Sequence, residues 1–338
     1  SFPTRRSSDP VNYWEMGILN PDEWQANWIA ADDENQDQSE AVSPFFRKEF
    51  DLKGNEAIDK ARIYVTSLGL YELELNGSKV GDWVFTPGWT SYNKRLQYQT
   101  YEVKDMLKNG QNALGAKLGK GWYRGELAWE GQTDIYGDKL ALLCQLHITY
   151  KNGEEEIITS DTGWKSSAGP ILMSEIYHGE TYDARLEAEG WSQPDFDDND
   201  WDQVKTIDQN FDILLAQENE PVRKKETIEP VELIQTPAGE TVIDMGQNMV
   251  GWLQFEVEGS SGDKVILKHA EVLDKEGNFY TDNIRTAEQT IEYTLKGEGK
   301  EVYEPNFTFQ GFRYVKIEEY PGEIKLDNFK GIVVYSDL

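Results

Sequence analysis

The most chemically suggestive stretch of the sequence is residues 119–131, which read GKGWYRGELAWEG and combine glycines with aromatic and charged side chains. Glycine-rich loops hold phosphate when they read G-x-G-x-x-G before a helix or G-x-x-x-x-G-K-[ST]. Gly119, Gly121 and Gly125 have the longer spacing G-x-G-x-x-x-G, and the second motif fails because Leu114 and Gly121 stand where Gly and Ser or Thr are needed. The loop is therefore not predicted to bind phosphate.

The same loop has the side chains that hold neutral sugars. Aromatic rings are flat and amphipathic, and planar polar groups can hydrogen-bond hydroxyls while glycines let the backbone approach closely. An alternative is that the loop closes the end of a β-sandwich and buries its tryptophans as core. We expect a carbohydrate site formed by Trp122, Tyr123, Arg124, Glu126 and Trp129.

A second polar group lies in residues 269–287, HAEVLDKEGNFYTDNIRTA. Two carboxylates at a suitable separation can cut a glycosidic bond, which makes Glu271 and Asp282 a formal candidate pair. The pair is disfavoured because both residues come from one local segment and nothing in the sequence places them across a substrate. We expect instead a polar cleft lined by Glu271, Asp282, Asn283 and Arg285.

An acidic stretch, DFDDNDWD at residues 195–202, raises the question of calcium. It opens like a calcium loop of the form D-x-[DN]-x-[DN], but Asp200 stands where that loop needs Gly and Thr206 where it needs Glu. A turn motif is therefore the favoured interpretation. A calcium site of another kind stays open, and its ligands are unknown.

Other metal and nucleophile chemistry is disfavoured by the residue inventory. Cys144 is the one cysteine, so the chain has neither an internal disulfide nor a thiolate-rich zinc site. His147, His178 and His269 are far apart and lack metal-ligand spacing. The net charge of −29 repels phosphate backbones and anionic membranes, and no apolar run approaches the roughly 18 residues of a membrane helix.

The elements that must position these residues are β-strands. Short alternating runs such as ARIYVTSLGLYELELNG end in the Asn76-Gly77 pair that is typical of a two-residue hairpin. Helical periodicity is limited to NPDEWQAN and VKDMLKNGQ. Many short strands without regular helices between them predict an all-β chain with two antiparallel β-sandwich domains. The polar residues 217–230 are the expected linker between them.

Several longer motifs resemble one family. YWEMGILNPDEWQANWI, LGKGWYRGE, YHGETYDAR and FDDNDWDQV resemble the N-terminal region of bacterial α-L-rhamnosidases of glycoside hydrolase family 78, and DMGQNMVGW and YEPNFTFQGFRYVKIEEY resemble the domain that follows it. The resemblance implies a galactose-binding-like jelly roll over 44–216 and a concanavalin-like sandwich over 231–338. Residues 11–43 resemble the end of a fibronectin-like domain with its connection. Residues 1–10 are basic and Ser-rich in an acidic chain, and we expect a foreign or disordered leader there.

The resemblance also carries a functional expectation. In this family an inverting acid and base lie on an α/α barrel that follows these domains, so the chain is expected to be the non-catalytic N-terminal part of an enzyme that hydrolyses terminal α-L-rhamnose. It would bind an L-rhamnose-containing carbohydrate and support the barrel, through an exposed apolar face on residues 231–338. No cofactor is expected to be required, although Ca²⁺ in the first sandwich is open.

A second hypothesis is a stand-alone, calcium-assisted rhamnose-binding module. The resemblance implies a bacterial protein, and the sequence leaves its compartment, cytoplasmic or periplasmic, unknown. Neither nucleic acid nor a membrane is an expected partner.

Overall fold

The computed structural model describes residues 17–32, 42–53, 57–127 and 131–336. The expected leader, 1–10, and the first part of the segment 11–43 lie outside these residues. Nearly every regular element is a β-strand. The strands of the first half are β1 (Trp28–Ala30), β2 (Pro44–Asp51), β3 (Ile58–Leu68), β4 (Leu70–Leu75), β5 (Ser78–Lys79), β6 (Leu96–Glu102), β7 (Gln111–Gly119), β8 (Ala141–Tyr150), β9 (Glu155–Thr159), β10 (Lys165–Ala168), β11 (Ile171–Glu175), β12 (Gly179–Asp183), β13 (Asp202–Gln203), β14 (Lys205–Ile207) and β15 (Leu214–Ala216).

The second half continues with β16 (Val222–Ile228), β17 (Glu232–Gln235), β18 (Thr241–Glu258), β19 (Lys264–Ala270), β20 (Val272–Leu273), β21 (Phe279–Tyr280), β22 (Thr290–Thr294), β23 (Lys300–Tyr303), β24 (Gln310–Glu319) and β25 (Phe329–Ser336). In the described ranges the one α-helix is α1, a single turn at Gly121–Arg124. Short 3₁₀ turns lie at Pro21–Glu23, Lys104–Met106, Ala184–Leu186, Asp282–Ile284 and Leu326–Asn328. The first two replace the longer helices that the sequence pattern suggested.

The first sandwich consists of two sheets. Sheet 1 has the order β14-β1-β8-β3-β6-β15, with β9 added beside β8, and sheet 2 has the order β13-β10-β2-β7-β4-β5. All pairs are antiparallel except β15 with β6. The predicted hairpin is confirmed, since β4 and β5 pair across Asn76 and Gly77, which both have positive φ. β1 lies within the segment 11–43 but belongs to this sandwich, because it pairs with β8 and β14.

The facing surfaces of sheets 1 and 2 form an apolar core. Alternate side chains of β3, β4, β7 and β8 point into it, as expected for strands buried on one face. Examples are Val65, Leu73, Leu114 and Cys144. Sheet 1 is also covered on its other face, where Trp24, Trp28, Leu96, Tyr98 and Tyr123 belong to a second buried cluster.

The second sandwich is one curled sheet, sheet 3, built around β18. Its order is β11-β12-β22-β19-β24-β18-β25-β16, with β17 and β23 also paired to β18. Pairing with β24 shifts register between Asp244 and Met249. Gly246 has a φ of 79° there, and Gly251, with a φ of 152°, leaves no room for a side chain because a Cβ would lie 1.8 Å from the Ile332 carbonyl oxygen. These two positions let β18 bend around its core of aliphatic and aromatic residues.

The two sandwiches share a strand pair, which the sequence pattern did not indicate. β11 and β12 lie in the range expected for the first sandwich, yet β12 pairs in parallel with β22 at the edge of sheet 3. The expected linker, 217–230, contains β16, which pairs antiparallel with β25. Its polar composition fits an edge strand, whose charged side chains face solvent and discourage pairing with other chains.

A fourth apolar cluster joins the two sandwiches directly. It combines Phe45, Leu70 and Phe85 of the first with Trp252, Phe307 and Ile332 of the second. The predicted all-β, two-sandwich fold is confirmed, and its halves are packed together through buried side chains as well as through β12. Among the described residues, no helix is long and apolar enough to cross a membrane.

Candidate functional site

The loop after β7 lies where the two sandwiches meet. It forms the single turn α1, preceded by Lys120, and then continues to Leu127, whose backbone pairs with Gln132. A Cβ at Gly125 would lie 2.3 Å from the Gly121 carbonyl oxygen and 2.4 Å from Glu175 Oε1, so the turn requires glycine there. Trp129, one of the predicted sugar-binding residues, lies outside the described residues.

Two of the predicted binding residues have internal partners. Tyr123 is buried, and its ring lies edge to face against Tyr92 with centroids 5.5 Å apart. Arg124 is also buried, and its Nε donates to Asp134 Oδ1 over 2.8 Å. Both side chains therefore stabilise the loop from within.

Glu126 connects the loop to both halves of the molecule. Its Oε2 lies 2.8 Å from His178 Nε2, and its Oε1 accepts a hydrogen bond from Thr286 Oγ1 over 3.1 Å. Its backbone N–H donates to Glu175 Oε1 over 2.7 Å, while Glu175 Oε2 accepts from the N–H groups of Tyr177 and His178. This polar cluster fixes the relative position of three loops from the two sandwiches.

Trp122 is the predicted residue that remains partly exposed. Its ring is parallel to that of Trp89 within 5°, with centroids 6.0 Å apart. Phe85 and Phe309 lie beside it, at 6.4 and 6.3 Å between centroids. Trp89 comes from the loop between β5 and β6 and is 54% exposed. The structure thus places an open aromatic surface at the junction of the sandwiches.

The loop has a second cation besides Arg124. Lys120 directly precedes α1 and is half-buried. Burial lowers the pKa of its ammonium group, and the positive charge of Arg124 lowers it further. Within the described ranges Lys120 makes no hydrogen bond or ion pair through its side chain.

The second predicted group does not form an opposed pair of carboxylates. Glu271 is exposed, and its carboxylate accepts from Asn283 Nδ2 over 3.2 Å and from Asn248 Nδ2 over 3.5 Å. Asp282 lies on an exposed 3₁₀ turn, and Arg285 is exposed with a φ of 62°. Among the described residues of the expected barrel-facing range, five large hydrophobic side chains are exposed: Val231, Val250, Val272, Val302 and Tyr335.

The acidic stretch 195–202 is used inside the first sandwich. Asp198 receives the guanidinium of Arg47, which is buried, and the ammonium of Lys165, 2.7 Å from its Oδ1. Burial alone would raise the pKa of Asp198, but the hydrogen bond from Lys165 and the charge of Arg47 outweigh it and lower the pKa. In the part of the chain that the structure describes, no three His, Cys, Asp or Glu side chains are grouped so that they could hold a metal ion.

The remaining histidines have structural surroundings. His269 is fully buried, its ring lies edge to face with Phe312, and its Nδ1 donates to the Gln289 carbonyl over 2.9 Å. His147 lies against Tyr64.

Sequence reasoning missed Trp89, Lys120, His178 and Thr286 as members of the junction. Trp89 could have been recognised as a loop residue, because it follows the Pro87-Gly88 pair, which is unfavourable in a strand. The others depend on tertiary contacts.

Comparison with known proteins gives two family models that together span most of the chain. The α-L-rhamnosidase N-terminal domain model matches residues 56–226, and the bacterial α-L-rhamnosidase concanavalin-like domain model matches residues 234–335. The first match ends within β16 and the second begins within β17.

Individual proteins agree with the models. The α-L-rhamnosidase of Streptomyces avermitilis is 44% identical over 291 residues, which are 86% of this chain and 28% of that protein. Its crystal structure in complex with L-rhamnose superposes with a TM-score of 0.84 at 43% identity, covering 88% of this chain and 29% of the other. The native α-L-rhamnosidase from Aspergillus terreus superposes with a TM-score of 0.92 at 41% identity, covering 96% and 38%. The chain therefore spans less than two-fifths of these relatives.

Proposed function

The chain belongs to the bacterial α-L-rhamnosidase family, and we propose that it is the non-catalytic β-portion of an enzyme that hydrolyses terminal α-L-rhamnose from glycosides or polysaccharides with inversion. In this proposal the acid and base lie in a part of the enzyme beyond the described residues. The two sandwiches support that part and hold an L-rhamnose-containing carbohydrate.

The proposal rests mainly on the burial and hydrogen bonding of carboxyl groups in the two sandwiches. An inverting glycosidase needs an acid of raised pKa and a base on opposite sides of the substrate, about 6.5–9.5 Å apart. Burial raises the pKa of Glu180, and hydrogen bonds offset this only in part. Glu180 has no exposed surface, however, and accepts from Tyr303 Oη, from both nitrogens of Asn306 and from Phe307 N. A carboxyl group so enclosed cannot reach a glycosidic oxygen.

Glu271 and Asp282, the pair that the sequence analysis disfavoured, support the same conclusion. Glu271 and Asp282 are exposed, and Glu271 accepts hydrogen bonds from two amides. Neither carboxyl group lies in the desolvated pocket that a general acid requires. The role of this face in the proposal is structural: it is the surface on which the remainder of the enzyme rests.

Support for a scaffolding role comes from the joint between the sandwiches. The shared β12, the buried aromatic cluster around Phe307 and Trp252, and the Glu126 cluster connect the two halves at three separate places. A body joined in this way can present loops from both sandwiches at fixed positions.

The proposal is tested by incubating the chain with 4-nitrophenyl α-L-rhamnopyranoside and measuring nitrophenolate. We expect no release above the rate without protein. The variants E271Q and D282N should be indistinguishable from the unmodified chain. Release that disappears in either variant would place the acid or base in this chain and refute the proposal.

A further inference from the structure

We propose that the Trp89–Trp122 surface is a binding site for a neutral pyranose, with Trp89 as the ring on which the sugar stacks. The inference rests on the proposed carbohydrate-holding role and specifies where that role is performed. It moves the site from the buried side chains of the loop 119–131 to the exposed face beside them.

Trp89 is the exposed ring of this surface. A tryptophan is one of the largest apolar side chains, and 54% of Trp89 is exposed in this chain, so its ring can be reached by a ligand. A second stacked pair in the first sandwich is the internal comparison. Trp191 and Trp201, 6.3 Å apart with planes 15° from parallel, are both partly buried against Phe45 and Phe196. The Trp89 ring has no such cover in the described residues.

The surface is held in place without a ligand, by hydrogen bonds beside Trp89 and by the turn that carries Trp122. Gly88 N donates to the Phe85 carbonyl over 2.8 Å, and the buried Tyr92 donates its hydroxyl to the Gly88 carbonyl over 2.7 Å. Trp122 is fixed by the turn α1. An ordered ring loses little conformational entropy when a sugar binds, so a sugar can bind even though its individual contacts are weak.

The chemistry around the rings suits a neutral pyranose. A pyranose has an apolar face of C–H groups and a rim of hydroxyls, so it needs one aromatic face and nearby donors. The loop that carries Trp122 also carries Lys120, whose ammonium makes no hydrogen bond or ion pair with a described group. The net charge of −29 opposes an anionic ligand, so a neutral sugar is favoured over an acidic one.

The experiment is a titration of the chain with methyl α-L-rhamnopyranoside, followed by calorimetry and tryptophan fluorescence. The variants are W89A, W89F and, as a matched control, Y335A, which removes an exposed aromatic ring from β25. We expect saturable binding by the unmodified chain and by Y335A. W89F should retain most of the affinity because it keeps a ring, and W89A should bind about tenfold more weakly or not at all.

The outcomes separate the two proposals. Binding that is equal in W89A and the unmodified chain overturns the Trp89 site but leaves the carbohydrate-holding role intact. No binding by the unmodified chain overturns the site together with that role, whereas the absence of catalysis is decided independently by nitrophenolate release. Circular dichroism and the melting temperature of W89A, compared with W89F, exclude misfolding as the reason for lost binding.

Discussion

Protonation of His269 should destabilise the fold, and the burial of its ring sets the size of the loss in free energy of unfolding. The ring is fully buried at the base of loop 281–289, and its Nδ1–H donates to the Gln289 carbonyl, which fixes the neutral tautomer. Its Nε2 is buried and has no hydrogen-bond partner. A proton on Nε2 would therefore add a charge and a donor to a site that satisfies neither.

The magnitude follows from the pKa. Burial lowers the pKa of His269 from 6.5 to about 4, although the hydrogen bond to Gln289 opposes the shift. Because the unfolded chain binds the proton first as pH falls, stability is fully present above pH 6.5 and is lost between 6.5 and 4. The full loss is about 3 kcal/mol, of which about 2 kcal/mol appears between pH 7 and pH 5.

Urea unfolding at pH 7 and pH 5 measures this loss against the variant H269N, whose amide can still donate to Gln289. H269N should be less stable at pH 7, by about 2 kcal/mol, because the ring leaves a cavity beside Phe312. At pH 5 the difference should nearly vanish, since the variant lacks the titrating group. H147N keeps His269 and should lose stability much as the unmodified chain does; the gap between these two should change less with pH than the gap for H269N, because burial also lowers the pKa of His147 but its ring is only half-buried. A gap between H269N and the unmodified chain that stays constant from pH 7 to pH 5 would refute this reasoning.

Two further predictions concern the joint and the metal. Gly179→Ala should cost about 3 kcal/mol or more, because the new Cβ would lie 1.8 Å from the Thr290 carbonyl oxygen at a φ of 118° and break the pairing of β12 with β22. Gly153→Ala, where a Cβ meets nothing within 4 Å, should cost only about 1 kcal/mol, and equal losses in urea unfolding would show that β12 does not join the sandwiches. Addition of a chelator should change neither the melting temperature nor sugar binding, since Arg47 and Lys165 already neutralise Asp198. A drop of several degrees that calcium reverses would establish the metal-assisted alternative.

The architecture was predictable where it depends on local chemistry. The Asn76-Gly77 pair places two residues with positive φ between β4 and β5, which is what a two-residue hairpin needs. Alternation along β3 and β4 fixed which residues face the core. By contrast, the parallel pairing of β12 with β22 joins segments about a hundred residues apart, and no periodicity encodes it.

The candidate site was only partly predictable for the same reason. Residue types in the loop 119–131 suggested a sugar site, but burial decides which of them a ligand can reach. Arg124 and Glu126 look like ligand-binding groups until Asp134, His178 and Thr286 are found beside them. Those partners come from other loops, so the sequence alone could not distinguish a binding group from a structural one.

The most direct test of the account is equilibrium dialysis of the chain against 4-nitrophenyl α-L-rhamnopyranoside, with the glycoside and free nitrophenolate measured in both chambers. The account predicts that intact glycoside accumulates on the protein side and that nitrophenolate does not form. Nitrophenolate in either chamber, or an equal distribution of the glycoside, would contradict the claim that these sandwiches hold the sugar without cleaving it.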